Sequence, residues 1–218
     1  MTEICPLCAG EHCSLYHQDA AREYWICATC DLVHVPSGFF LSPEDERLEY
    51  EQHENSIGEP GYERFLSRLA NPLLERLTLQ SSGLDFGCGP APALARMLER
   101  EGHRVAVYDA FFASDPRVFK QRYAFITATE VVEHLHEPGA ELQRLWSLIE
   151  PGGWLAVMTK LVSDPEAFAN WHYIRDPTHV CFFSRRSWQW WADCQGAALA
   201  FEGADVMLLQ KTAQPSRH

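Results

Sequence analysis

From residue 62 onward, the spacing of apolar residues is typical of helices in some stretches and of strands in others. In residues 62–80 (YERFLSRLANPLLERLTLQ) the apolar side chains recur at near-helical spacing, which predicts a helix packed on the domain. Pro72 predicts a kink or break in this helix, because proline lacks the backbone N–H that a helix interior uses. The apolar stripe consists of Phe65, Leu66, Leu69, Leu73, Leu74 and Leu77.

Short apolar runs alternate with helical stretches over the rest of the chain. Strands are predicted at 105–109, 123–129 and 154–160, and helices near 91–101 and over 138–149. Strands that alternate with helices imply an α/β domain with a mostly parallel sheet. The last segment, ALAFEGADVMLLQ, holds two apolar runs around Glu202-Gly203, which predicts an antiparallel hairpin at the end of the sheet.

A glycine turn is predicted between the first strand of this domain and the helix near 91–101. Asp85, Gly87 and Gly89 lie in the segment LDFGCGPAP, and glycines at this place let the backbone approach a ligand closely. A dinucleotide site would need G-x-G-x-x-G, but Pro92 occupies the third glycine position. The segment therefore argues against NAD.

Polar residues also stand at the ends of two later strands. Asp109 ends the strand at 105–109, twenty residues beyond Gly89, where Rossmann-type proteins place a carboxylate that accepts both ribose hydroxyl protons. The alternative is that Asp109 is only a turn residue at the end of a strand. Thr129 and Glu130 follow the strand at 123–129, at the sheet edge where open α/β sheets bind ligands.

Three motifs in order resemble class I S-adenosylmethionine-dependent methyltransferases over roughly residues 62–210. They are Asp85 with the following G-x-G, the segment ITATEVVEHLHEP, and the segment PGGWLAVMTK. The resemblance implies a Rossmann-like, mostly parallel seven-stranded sheet with S-adenosylmethionine at the glycine turn, where a carboxylate suits the cofactor's ammonium group. Ala91 stands where the family often has a third glycine, and Tyr123-Ala124-Phe125-Ile126 lacks the acidic residue frequent early in the fourth strand.

The first 36 residues carry two C-x-x-C pairs. Cys5 and Cys8 are separated from Cys27 and Cys30 by 18 residues, a spacing that predicts a zinc ribbon with four thiolate ligands. With no open coordination position, this zinc would be structural. A redox-active pair is the rival interpretation, and His12 and Cys13 are alternative ligands.

Candidate residues for the methyl acceptor lie mainly in the segment WHYIRDPTHV, residues 171–180. It resembles the acceptor-side loop of this group of methyltransferases. His172 or His179 could act as a general base, and Tyr173 and Asp176 could orient the acceptor. In the alternative, the loop is held by its own hydrogen bonds, with Asp176 capping the turn at Pro177. For His134, in the segment EVVEHLHEP, function and structure stay equally open.

The acidic segment 37–61 is predicted to connect the zinc module (1–36) to the methyltransferase domain (62–218). It could fold over the cofactor as a lid, with His53 and Tyr62 as cofactor contacts and Tyr50 beside them. Gly58 and Gly61 would permit the movement.

The charge balance bears on the substrate. Thirty acidic residues against 18 basic ones give a net charge of −12, which disfavours nucleic acid, so we expect a small-molecule acceptor. An RNA methyltransferase stays open, as does a nucleotide-sugar C-methyltransferase. A non-catalytic interaction protein, with the zinc module docking a protein partner, is the third alternative.

The chain shows no feature of membrane insertion or export. It contains no apolar run of about 18 residues, and its start, MTEICPLC, lacks the basic and then apolar character of a signal peptide. We therefore expect a cytoplasmic protein without a membrane partner.

Overall fold

The computed structural model of the chain describes residues 3–51 and 59–212, and within them it has ten strands and six α-helices. In chain order they are β1 (Cys13–Gln18), β2 (Glu23–Cys27), β3 (Val33–His34), α1 (Pro43–Glu51), α2 (Pro60–Leu74), β4 (Ser82–Phe86), α3 (Ala93–Arg100), β5 (Arg104–Tyr108), β6 (Tyr123–Thr129), α4 (Pro138–Leu148), β7 (Ile149–Met158), α5 (Pro165–Ala169), β8 (Cys181–Phe182), α6 (Arg185–Gln195), β9 (Ala198–Glu202) and β10 (Val206–Gln210).

The chain forms two compact units, each built from segments that are distant in sequence. Unit 1 contains the described residues of 1–53, 132–143 and 159–191, and unit 2 those of 54–131, 144–158 and 192–218. The domain boundaries predicted at 36/37 and 61/62 stay predictions.

Unit 2 contains a six-stranded sheet in the order β5-β4-β6-β7-β10-β9. The first four strands are parallel, whereas β10 is antiparallel to both β7 and β9. The predicted α/β class, the mostly parallel sheet and the C-terminal hairpin are confirmed. Among the described residues this sheet has six strands, whereas the resemblance implied seven. The segment between β5 and β6 holds a β-bridge and a short 3₁₀ helix, Pro116–Lys120.

The core of unit 2 lies where α2 and α3 contact the sheet. Leu66, Leu69 and Leu73 of the predicted stripe are buried, since their spacing puts them on one face of α2. Pro60 begins this helix at a position that tolerates proline. The helix ends two residues after Pro72, well before the predicted end near residue 80.

Unit 1 contains an antiparallel four-stranded sheet in the order β1-β2-β3-β8. The first three strands come from the cysteine-rich segment, whereas β8 follows the 171–180 loop, and Val33 pairs with Phe182. The N-terminal sheet is thus completed by a strand almost 150 residues later in the chain. No helix among the described residues is both long and apolar enough to cross a membrane.

Candidate cofactor, acceptor and metal sites

The turn between β4 and α3 requires glycine at two positions. Gly87 and Gly89 have φ angles of +73° and +63°, in the left-handed region that side chains disfavour. A Cβ on Gly87 would also collide with the side chain of Val131. At Gly89 a Cβ would meet no described atom within 4 Å, so the backbone there is open on one side.

Asp109 lies directly after β5 and binds this turn. Its Oδ2 accepts a hydrogen bond from the Gly89 amide at 2.9 Å, and its Oδ1 accepts from the amides of Phe111 and Phe112 at 2.9 and 3.1 Å. The predicted turn role is therefore present. A carboxylate has about four acceptor sites, so one remains for a ribose hydroxyl, and accepting both hydroxyls would require one amide to give way.

Asp85 lies inside unit 2, one residue before the end of β4. Its side chain is buried, and the Thr127 hydroxyl donates to its Oδ1 at 2.8 Å. Burial raises the pKa of Asp85 to about 6, and the charge of Asp109 acts in the same direction. Whether Asp85 acts on a cofactor directly or through water stays a prediction.

At the carboxyl end of β6, two predicted residues have unusual surroundings. Glu130 has a φ of +52°, a conformation that residues other than glycine seldom adopt and that often marks functional positions. The Thr129 hydroxyl oxygen is buried and has no hydrogen-bond partner within the part of the chain that the structure describes. A buried hydroxyl of this kind suits a ligand group that would complete its hydrogen bonding.

Tyr62 of α2 interacts electrostatically with the carboxylates of Asp85 and Glu130. Burial raises its pKa to about 12, and Asp85 and Glu130 add to the shift. The structure thus brings the predicted residues Tyr62, Asp85 and Glu130 together in unit 2. His53, the remaining predicted cofactor contact, lies outside the described residues.

Four of the five predicted catalytic residues come together in unit 1. Tyr173 and His179 have ring centroids 4.1 Å apart, and those of His134 and His179 are 4.6 Å apart. Asp176 Oδ2 lies 3.7 Å from His179 Nε2. His134 lies in a short 3₁₀ helix, Val132–His134, and the next α-helix, α4, begins at Pro138.

His172 has a different position from these four. Its side chain is exposed, and its Nε2 lies 2.7 Å from the Lys160 ammonium nitrogen. Its predicted catalytic role stays a prediction.

The 171–180 loop also contains the internal hydrogen bonds of the alternative interpretation. The Thr178 amide and hydroxyl both donate to Asp176 Oδ1, at 2.9 and 2.6 Å. Asp176 therefore caps the turn at Pro177. It also belongs to the polar cluster of unit 1, which consists of His134, Tyr173, Asp176 and His179. The two interpretations are compatible.

The connector contributes to the same unit. The Tyr50 ring of α1 lies 5.2 Å from that of His134, and Glu46 Oε1 is 2.8 Å from His136 Nε2. The predicted lid over the cofactor stays a prediction.

Sequence reasoning left two residues of unit 1 out of the candidate site. Glu133 is fully buried and accepts a hydrogen bond from the Tyr173 hydroxyl. Arg22, from the cysteine-rich segment, donates to the carbonyl oxygens of Ile174, Asp176 and Pro177 at 2.8, 2.8 and 3.0 Å. The EH doublet at 133–134 was a usable signal for Glu133, whereas nothing near Arg22 in sequence points to a loop 150 residues away.

The four cysteines of the predicted zinc ribbon converge in unit 1. Their sulfur atoms all lie within 4.8 Å of one another, with Cys5 to Cys30 at 3.5 Å and Cys8 to Cys27 at 3.4 Å. Tetrahedral coordination at a Zn–S distance of about 2.3 Å would place the sulfurs roughly 3.8 Å apart. The cluster therefore has the size that a zinc ion needs.

The two C-x-x-C turns have equivalent backbones. The amide of Ala9 donates to the Cys5 carbonyl and that of Asp31 to the Cys27 carbonyl, each at 2.9 Å. Ala9 and Asp31, each four residues after the first cysteine of its pair, have φ angles of +57° and +58°. The Gly10 amide also donates to Cys8 Sγ at 3.3 Å, which stabilises a thiolate.

The architecture of unit 2 is that of a Rossmann-like α/β protein, with the glycine turn and Asp109 at the carboxyl ends of adjacent parallel strands. Residues 59–200 match the family model of the methyltransferase domain, so the chain belongs to this methyltransferase family. The Rossmann-like methyltransferase fold that the resemblance implied is confirmed. No curated protein matches the sequence significantly.

The solved structures to which this chain is similar are distant in sequence. A SAM-dependent methyltransferase from Archaeoglobus fulgidus is 16% identical with a TM-score of 0.53, and the match covers 68% of this chain and 94% of that one. An O-methyltransferase family protein from Burkholderia thailandensis is 16% identical with a TM-score of 0.47, over 71% of this chain and 59% of that one. Coclaurine N-methyltransferase, bound to N-methylheliamine and SAH, is 14% identical with a TM-score of 0.46, over 70% and 53% of the two chains. The chain thus spans less than two thirds of the Burkholderia protein.

Proposed function

We propose that this chain transfers the methyl group of S-adenosylmethionine to a small-molecule acceptor. The observation that carries the proposal is the hydrogen bond from the Gly89 amide to Asp109, within the segment that matches the methyltransferase family. It links an open glycine turn to a carboxylate with one remaining acceptor site, which suits a ligand bearing a ribose.

Several residues of unit 2 would bind the cofactor. Asp109 would accept from the ribose, Asp85 would favour the ammonium group directly or through water, and the buried Thr129 hydroxyl would take a polar group of the ligand. When bound, S-adenosylmethionine supplies a methyl group on a sulfonium, which a nucleophile can take by in-line displacement. The protein then has to orient the acceptor, exclude water and receive the acceptor's proton.

The polar cluster of unit 1 would bind the acceptor. Tyr173, Asp176, His134 and His179 supply hydrogen-bond donors and acceptors among buried and half-buried side chains. Such groups orient an oxygen or nitrogen acceptor whose proton must leave as the new bond to carbon forms.

The charge of the chain supports a small acceptor over RNA. A net charge of −12 repels a phosphate backbone, whereas RNA-binding proteins present clustered basic residues. A nucleotide-sugar acceptor falls within the small-molecule proposal.

The deciding experiment is transfer of a radiolabelled methyl group into fractionated cell extract, with and without ribonuclease. We expect label in the low-molecular-weight fraction, insensitive to ribonuclease and, at limiting S-adenosylmethionine, reduced in an Asp109→Asn variant. Label that disappears with ribonuclease would instead identify an RNA methyltransferase. Cofactor binding without transfer to any fraction would support a non-catalytic role.

We also propose that Cys5, Cys8, Cys27 and Cys30 hold a structural zinc ion. Two observations support this site: the two C-x-x-C turns have equivalent backbones, and the four cysteine sulfurs lie close enough together to supply all four ligands. A Cys8→Ser variant should lose one zinc per chain by mass spectrometry, whereas Cys194→Ser should keep it, because Cys194 is exposed and outside the cluster. Equal zinc content in the two variants would refute the assignment.

A further inference from the structure

A second group of metal-binding side chains lies in unit 1, separate from the four cysteines. Glu133, His134 and His179 each offer one ligand atom, and these atoms all lie within 4.8 Å of one another. Donor atoms at neighbouring positions around a divalent ion, each about 2.0–2.2 Å from it, are about 2.8–3.6 Å apart. A contraction of at most about 2 Å between the donor atoms would therefore close the group on an ion.

The hydrogen bonds of His134 determine which of its nitrogens has a lone pair for a metal ion. The Thr178 hydroxyl donates its only proton to Asp176 Oδ1, so it must accept from His134 Nδ1, which lies 2.9 Å away. The Thr178 carbonyl, which can only accept, is 3.3 Å from the same nitrogen. Nδ1 of His134 therefore carries the proton, and in the neutral ring Nε2 has the lone pair.

His179 is fixed in the same tautomer by a different partner. Its Nδ1 lies 2.7 Å from the carbonyl oxygen of Tyr173, which can only accept, so Nδ1 is again the protonated nitrogen. In the neutral ring its Nε2 then has the lone pair. Histidines that ligate metals usually donate their other ring N–H to a carbonyl, a carboxylate or water in this way.

Glu133 completes the set with an anionic oxygen. The side chain is fully buried, and the Tyr173 hydroxyl donates to its Oε1. Thr159 Oγ1 is 3.1 Å from the same hydroxyl and helps to fix it. Buried carboxylates are stabilised by hydrogen bonds together with a counter-charge, and a divalent ion supplies that charge.

We infer that Glu133, His134 and His179 bind a first-row divalent transition-metal ion. Two imidazoles and one carboxylate suit ions such as Co²⁺, Fe²⁺ or Zn²⁺, and three protein ligands leave coordination positions open. The proposed metal site is inferred from the positions of these three side chains alone. Only the role of the ion rests on the proposed function. An acceptor hydroxyl oxygen would occupy an open coordination position, and the ion would lower the pKa of that hydroxyl group.

The test is a titration of the full-length protein with Co²⁺ after zinc has filled the four-cysteine site. We expect one further equivalent of Co²⁺ at micromolar affinity or better, with the visible absorption of a nitrogen and oxygen site and without thiolate-to-cobalt charge transfer. Absence of binding, or charge-transfer bands that account for all bound cobalt, would overturn the inference.

Variants assign the ligands. Glu133→Gln and His179→Ala should each weaken Co²⁺ binding at least tenfold, whereas His172→Ala, in the same loop but outside the cluster, should bind like the wild type. Equal affinity in all three would refute the assignment. If a buried substitution unfolds the protein, as circular dichroism would reveal, the wild-type cobalt spectrum still decides.

Failure of this inference can be told apart from failure of the proposed function. Methyl transfer by a protein that binds no second metal ion would refute only the metal site. Binding of the second ion by a protein without transfer activity would refute only the function.

Discussion

At the residue scale, Asp109 both shapes the glycine turn and offers an acceptor to a ligand. An Asp109→Asn substitution replaces one carboxylate oxygen with a donor group, so either the Gly89 bond or the ribose bond loses its acceptor. Loss of a charge-assisted hydrogen bond costs about 1.5–3 kcal/mol. We therefore expect S-adenosylmethionine affinity, measured by calorimetry, to fall by a factor of about 10 to 100.

A matched control is available in the same unit. Asp115 is a half-buried aspartate that caps a short helix, and every hydrogen bond described for its side chain joins it to Arg117. Asp115→Asn should leave the cofactor affinity unchanged. If Asp109→Asn also binds like the wild type, the cofactor site has been placed wrongly.

The raised pKa of Asp85 predicts how the stability of the folded chain depends on pH. Its pKa is about 6 in the folded chain against 3.8 for the free group, so between these values the folded state binds more protons than the unfolded state. The free energy of unfolding should therefore fall as the pH rises from 4 to above 6, by about 2 kcal/mol from this residue.

An Asp85→Asn variant isolates that contribution. The Asn oxygen can still accept from Thr127, so the main change is the loss of a titrating group. The variant should gain stability relative to the wild type as the pH rises, as measured by urea unfolding at pH 4, 5, 6 and 7. A difference that stays constant across this range would contradict the raised pKa.

At the scale of elements, the cysteine-rich segment supports the 171–180 loop through Arg22. The guanidinium is buried and donates to three carbonyls of the loop, while the Tyr24 hydroxyl accepts from its Nε at 2.9 Å. Arg22→Lys keeps the charge but loses the planar fork of donors. We expect the free energy of unfolding to fall by about 2 kcal/mol and hydrogen exchange at 174–178 to become faster.

Arg117→Lys is the control for this substitution. Arg117 forms an exposed ion pair with Asp115, and exposed pairs contribute little stability. The control should unfold like the wild type. Unchanged exchange at 174–178 in Arg22→Lys would show that the loop does not depend on this contact.

At the scale of the whole molecule, the candidate metal and cofactor residues are divided between the two units. The four cysteines lie in unit 1, whereas all described cofactor candidates lie in unit 2. The binding energy of a structural zinc ion stabilises the elements that carry its ligands. Removal of the proposed zinc ion with a strong chelator should therefore speed hydrogen exchange in β1, β2 and β3.

The same treatment should change S-adenosylmethionine affinity by less than about threefold, since its candidate ligands remain folded. Calorimetry on the chelated protein measures this. Loss of cofactor binding together with the zinc would show that the two units do not fold independently.

The sequence alone predicted features that depend on neighbours close in the chain. Apolar periodicity placed β6 and the hairpin of β9 and β10, and the spacing of Gly87, Gly89 and Asp109 marked the glycine turn that Asp109 binds. The C-x-x-C turns are equally local, because their backbone bonds close within four residues. In each case a few adjacent side chains fix the backbone and the chemistry together.

Tertiary structure alone decided what distant segments share. It supplied β8 to the N-terminal sheet, brought Arg22 to the 171–180 loop, and put Glu133 and His134 beside His179. It also left His172 apart from the cluster, although its sequence context is the same as that of Tyr173. The physical reason is that strand pairing and the burial of polar side chains depend on contacts across the fold, which local spacing does not specify.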